Sequence, residues 1–128
     1  MSKIMVVDDE ENIVKIVKTM LESAGHDVIT ANSGRECLEI LKHEKPDLIL
    51  MDVMMPGMDG WETCRKIKEN SETKDIIVSM LTVKSEDEDK VKSFDEAIAD
   101  WHISKPIRKE RLVQTVEWLL KRPFKREE

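Results

Sequence analysis

Short apolar runs that alternate with helix-period segments predict an α/β domain, a parallel sheet with helices packed on both faces. Three observations carry this. Five runs, at 4–7, 28–31, 48–51, 76–81 and 101–103, have the continuous apolar character of strands buried on both sides. The segments between them repeat their apolar residues with helical spacing. The 128 residues match the size of one domain, with no linker or low-complexity tract to divide them.

The elements follow in order. After the first run, Ile13, Val14, Ile16, Val17, Met20, Leu21 and Ala24 mark one apolar helix face, and Gly25 is a natural terminator. After the second run, Ser33 is placed to cap a helix, with Glu36 three residues on as a capping box requires. That helix carries Leu38, Ile40 and Leu41 and ends before Pro46. A third helix is expected from about 60 to 70, with Trp61, Cys64 and Ile67 three apart. A fourth begins near Ser85 with Glu86-Asp87-Glu88-Asp89, acids that favour a helix start, and continues to Ile98. The fifth spans Lys109–Lys121, with Leu112, Val113, Val116, Leu119 and Leu120 facing inward. The expected domain is 1–122, with 123–128 a charged tail.

Composition narrows the function. With 21 Lys and Arg against 27 Asp and Glu the net charge is −6, a poor match to a phosphate backbone, so no nucleic-acid binding is expected of this chain. No apolar stretch is long enough for a membrane span, and the first one meets charge at Asp8, too early for a signal peptide. A cytoplasmic protein is expected. Cys37 and Cys64 lie in helix-patterned segments without metal-ligand spacing and read as buried thiols.

In a parallel α/β sheet the functional site lies at the carboxyl ends of the strands. There the sequence places Asp8, Asp9 and Glu10 after the first run and Asp52 after the third. Thr82 follows the fourth, and Ser104, Lys105 and Pro106 the fifth. Crowded carboxylates call for a cation, and hard oxygen ligands suit Mg²⁺. A carboxylate is also a nucleophile toward phosphorus. Asp8 and Asp9 could hold a metal, Asp52 could attack, and Thr82 and Lys105 could bind the transferred group. Singly, each has a plainer role: Asp8 or Asp9 as a helix cap, Asp52 or Thr82 as the cap of a turn or helix, Lys105 as a surface lysine. Their convergence on one sheet edge carries the inference.

These motifs, Ile4-Met5-Val6-Val7-Asp8-Asp9-Glu10, the run from Asp47 through Asp52 to Pro56-Gly57-Met58-Asp59-Gly60, Leu81-Thr82 and Ser104-Lys105-Pro106, resemble those of the receiver domains of two-component response regulators. The resemblance implies a flavodoxin-like fold with five parallel strands in the order 2-1-3-4-5. It implies Asp52 as phosphoacceptor from a histidine kinase or phosphotransfer protein, and Mg²⁺ held by Asp8, Asp9, Asp52 and the backbone carbonyl of Met54. Thr82 and Lys105 would bind the phosphoryl group, and Pro106 would follow a cis bond. Phosphorylation would remodel the surface of the fourth helix, fifth strand and fifth helix toward a downstream effector. The chain would catalyse only its own phosphotransfer and dephosphorylation.

Some positions depart from the family pattern. Val83 stands where Ala or Gly is usual, Ile98 where Gly is common, and His102 where an aromatic switch residue is usual, making His102 a candidate switch partner. Met54 and Lys84 occupy positions that tune dephosphorylation in the family. Two other readings compete. An aspartate-nucleophile phosphatase would show Asp-x-Asp, but Met54 stands at the second place. A receiver-like binding module working without phosphorylation draws on Val83 and His102. No GxxxxGK[ST] loop supports a nucleotide enzyme.

Overall fold

A computed structural model describes residues 2–83 and 99–121. The fourth expected helix, with Lys84 and Ile98, and the tail 123–128 lie outside the described residues. The described elements are β1 (Lys3–Val7), α1 (Glu11–Ser23), β2 (Asp27–Ala31), α2 (Gly34–Leu41), β3 (Leu48–Asp52), α3 (Gly60–Glu69), β4 (Ile77–Val83), β5 (Trp101–Lys105) and a C-terminal helix (Lys109–Lys121). All strand pairings are parallel, and the sheet order is β2-β1-β3-β4-β5. This is the flavodoxin-like order.

Alternation along the strands divides the core into two layers. Met5 and Val7 of β1, Ile49 and Met51 of β3 and Val78 and Met80 of β4 face α2 and α3, where Cys37, Leu41, Trp61, Cys64 and Ile67 meet them. Ile4, Val6, Leu48, Leu50 and Leu81 face the other way, onto Val17 and Leu21 of α1 and Leu112, Val116 and Leu119 of the C-terminal helix. Central β1 and β3 are buried along almost their whole length. The expectation of burial on both faces fails for β2 and β5, because they are the sheet edges and each keeps exposed residues. Ile16, assigned by period to the apolar face of α1, is 51% exposed, because Val17 and Leu21 one turn apart take the sheet contact.

The termini of the helices show why they begin and end where they do. Ser33 accepts a hydrogen bond from the Glu36 N–H at 3.0 Å, while the Glu36 carboxylate accepts from the Asn32 N–H at 2.8 Å. Asp59 caps α3 through the Glu62 N–H at 2.9 Å. The end of α1 is a Schellman motif. Gly25, at φ 95°, donates to the Glu22 carbonyl, and the His26 N–H donates to the Leu21 carbonyl. Asp8 and Asp9 do not cap α1. The capping residue is Glu10, whose side chain makes no cap bond.

Two strands run past their apolar cores. Thr82 lies within β4, and Ser104 and Lys105 within β5, because the ladder continues through the pairs Thr82↔Ser104 and Val83↔Lys105. At the opposite end, Lys68 of α3 donates to the carbonyls of Lys74 (3.1 Å) and Ile76 (2.6 Å) and pairs with Asp100 at 2.7 Å. Asp100 in turn accepts from the Val78 N–H at 2.9 Å. This buried pair ties the end of α3 to the starts of β4 and β5.

Candidate functional site

Parallel pairing brings three strand ends to one edge. The Asp8 N–H continues the ladder by donating to the Ala31 carbonyl at 3.1 Å, which places the carboxyl just beyond β1. Its Oδ1 accepts from the Glu10 N–H at 3.0 Å, and its Oδ2 is buried without a hydrogen-bond partner. Asp52 is the last residue of β3 and 5% exposed. Asp9 is exposed, and one carboxylate oxygen from each of Asp8, Asp9 and Asp52 lies within 4.8 Å of the others. Lys105, at the end of β5, extends across the end of β4 and donates to Asp52 Oδ1 at 2.7 Å, with its Nζ 3.7 Å from Asp8 Oδ2.

The loop after β3 is shaped by contact with Asp52. The Val53 N–H donates to Leu81 at 3.3 Å and the Gly60 N–H donates to Val53 at 2.9 Å, folding the start of α3 back onto the strand end. A Cβ at Gly60 would lie 2.1 Å from the Asp52 carbonyl oxygen, so only glycine fits beneath the site. Gly57 makes the intervening turn at φ 75°. Above Asp52 opens a cavity of about 240 Å³, whose lining includes Asp9, Glu10, Met54, Val83 and Lys105. Met54 and Val83 are 61% and 54% exposed.

The electrostatics follow from burial and crowding. Burial raises the pKa of Asp8, with Asp9 and Glu10 adding to the rise, against the Glu10 N–H bond and Lys105. Burial also raises Asp52, with Asp8 and Asp9 adding to it, against its hydrogen bond to Lys105. Burial acts to lower Lys105, but the bond to Asp52 and the surrounding carboxylates outweigh it and raise it. Three converging carboxylates, one with an unpartnered buried oxygen, form a donor set that fits a hard divalent cation such as Mg²⁺.

The structure therefore brings Asp8, Asp9, Asp52 and Lys105 together, with Met54 at the cavity wall. Thr82 is half-buried one residue beyond Leu81, and its neighbours Leu81 and Val83 line the cavity. The Lys105–Pro106 peptide is cis. His102 lies on the α3 side of β5, its ring centroid 5.8 Å from that of buried Trp61. Sequence reasoning did not identify Gly60 as a support of the site. The available signal was a glycine opening a helix eight residues after an acidic strand end.

Residues 4–117 match the family model of the response regulator receiver domain. The chain is a member of the receiver domain family. It is 43% identical over 120 residues to the alkaline phosphatase synthesis transcriptional regulatory protein PhoP of Bacillus subtilis, covering 94% of this chain and 49% of that protein. It is 34% identical over 120 residues to Protein PilH of Pseudomonas aeruginosa, covering 94% of this chain and 98% of PilH. The chain thus spans about half the length of the first relative and nearly all of the second. Among solved structures, the signal receiver domain of a signal transduction histidine kinase from Syntrophus aciditrophicus superposes with a TM-score of 0.88. That match has 35% identity and covers 97% of this chain and 96% of that one. Receiver domains are the phosphorylated modules of two-component systems, and the carboxylate cluster lies at the strand ends where such a domain keeps its acidic site. No helix among the described residues is long and apolar enough to cross a membrane.

Proposed function

We propose that this receiver domain is a phosphorylation-driven signalling switch, with Asp52 as the phosphoacceptor. One observation carries the reading: the Asp52 carboxylate is bonded to Lys105 at 2.7 Å within reach of the carboxylates of Asp8 and Asp9. An Asp52 oxygen attacks the phosphorus of a phosphohistidine on a histidine kinase or phosphotransfer protein. The new P–O bond forms as the P–N bond breaks, and imidazole takes the electron pair. Asp8, Asp9, Asp52 and the Met54 carbonyl would hold Mg²⁺. When bound, the ion offsets the negative charge gathered around the transferred group.

Lys105 then shares its ammonium between Asp52 and the phosphoryl oxygens, and Thr82 offers its hydroxyl to the same group. The added charge of about −1.5 to −2 biases the end of β4, and through it the face that includes β5 and the C-terminal helix, toward an effector protein. The chain acts on no separate substrate, catalysing only its own phosphorylation and dephosphorylation, and works in the cytoplasm.

The test is intact mass after incubation with acetyl phosphate and Mg²⁺, for the native chain and Asp52→Asn. One phosphoryl group, dependent on Mg²⁺ and absent from the variant, is expected. Failure to form it, together with no change in tryptophan fluorescence on adding beryllium fluoride, would overturn the proposal in favour of a phosphorylation-independent binding module.

A further inference from the structure

Away from the carboxylate site, the His26 imidazole is buried with neither ring nitrogen hydrogen-bonded. Its side chain is 9% exposed. Its Nε2 lies 3.9 Å from Oε2 of Glu117 on the C-terminal helix. Buried polar nitrogens are ordinarily bonded, so an imidazole orphaned at both ends needs an explanation.

The main chain on both sides of the ring is held by hydrogen bonds. His26 closes the Schellman motif of α1, donating to Leu21 at 3.1 Å, and the next N–H, of Asp27, donates to Ser2 at 2.8 Å. Glu117 is the more solvent-accessible partner, its side chain 47% exposed. At 3.9 Å the two groups are within ion-pair range but beyond hydrogen-bond range. A neutral imidazole has at most an uncharged N–H to offer the carboxylate, and only in the tautomer that carries its proton on Nε2. A protonated one presents Nε2–H to the carboxylate, and closing the gap by about 1 Å makes a charge-assisted bond. The other charges on the packed elements are Glu22 on α1, Asp27 on β2 and Lys121 one turn beyond Glu117, all exposed to water. Among the described residues, Glu117 is the carboxylate within 4 Å of the ring.

We propose that His26 and Glu117 form a proton-operated clamp between α1 and the C-terminal helix. It tightens when His26 is protonated and slackens when it is neutral. Imidazole titrates within the range of cellular pH changes, so the clamp makes the seating of the C-terminal helix sensitive to proton concentration. The clamp does not depend on phosphorylation at Asp52.

The test compares the native chain with Glu117→Gln, His26→Gln and the double variant, by thermal unfolding at about pH 5.5 and about pH 8, either side of the ordinary imidazole range. Glu117→Gln should lower Tm by about 3 °C more at the acidic pH, and the two substitutions should be more strongly non-additive there than at pH 8. Because His26→Gln alters a buried side chain, ¹⁵N spectra of the imidazole in the native chain and in Glu117→Gln give a second readout. At the acidic pH the native chain should show an exchange-protected Nε2–H signal that Glu117→Gln loses. Equal effects of Glu117→Gln at both pH values, or an imidazole signal unchanged by it, would overturn the proposal.

Discussion

Gly60→Ala tests how closely the fold and the site are joined. An Ala methyl there would lie 2.1 Å from the Asp52 carbonyl oxygen, 2.9 Å from its carbonyl carbon and 3.0 Å from Met80 Cε. A carbon–oxygen contact relaxes near 3.3 Å, so either the start of α3 or the end of β3 must shift by about 1 Å. The obstacle is backbone, held by the Gly60–Val53 bond and by the β3–β4 ladder through Asp52↔Leu81, and no side-chain rotation relieves it. Overpacking of this kind costs about 3 kcal/mol, at the upper end of the usual range. A 1 Å displacement of a reacting group costs on the order of 100-fold in rate.

Gly34→Ala is the control. Its methyl would lie 2.2 Å from Thr63 Oγ1, a hydroxyl that can rotate away at the loss of its 2.8 Å bond to the Asp59 carbonyl. It should cost about 1–2 kcal/mol, be partly rescued by Thr63→Ala, and leave phosphorylation near the native rate. Urea unfolding gives the stabilities, and mass change with acetyl phosphate gives the rates. Gly60→Ala within about 1 kcal/mol of the native chain, with native phosphorylation, would refute the reasoning.

Three further outcomes are expected. Lys68→Met should destabilise by about 3 kcal/mol in urea unfolding, since it removes the ammonium that pairs with buried Asp100 and serves two carbonyls. Burial pushes the Cys37 and Cys64 thiols up to about 12, from an ordinary value near 9. The native state therefore keeps its protons after the unfolded chain has lost them, and stability should fall between about pH 9 and 12 by about 1.4 kcal/mol per pH unit per thiol. A Cys37→Ala/Cys64→Ala variant should show a flatter alkaline limb in unfolding titrations. Mg²⁺ at about 100 times its Kd should add about 2.7 kcal/mol to the unfolding free energy of the native chain, and Asp8→Asn and Asp9→Asn should shrink that gain at the same concentration.

What could be read from the sequence was whatever short-range pattern carries. The apolar runs place β1 and β3, the Ser33–Glu36 spacing places the start of α2, and Gly25 ends α1. Asp8, Asp9, Asp52 and Lys105 were legible as a set because parallel strands bring their carboxyl ends to one edge. The extensions of β4 and β5 were not, since Thr82, Ser104 and Lys105 are strand residues through cross-strand pairing and not through any apolar character of their own. Long-range contacts left no trace in local pattern. The Trp61–His102 ring contact and the Glu117 carboxylate beside His26 each join elements distant in sequence.

The acidic pocket is kept at a cost to the fold. Because burial and mutual repulsion raise Asp8 and Asp52, the native state holds their protons more tightly than the unfolded chain does. Stability from these two groups is present at low pH and is lost as pH rises through their raised values. Lys105 acts in the opposite sense. Its bond to Asp52 raises its own titration, so its contribution persists at neutral pH and is lost only as the medium becomes strongly alkaline. At neutral pH one ammonium thus serves a cluster with more negative charge than it can neutralise. On the proposed function, a divalent cation would relieve that imbalance, while a phosphoryl group on Asp52 would renew it and compete for the same ammonium. On the proposed chemistry, switching draws on this redistribution, and Lys105 would respond from the end of β5, the last strand of the sheet.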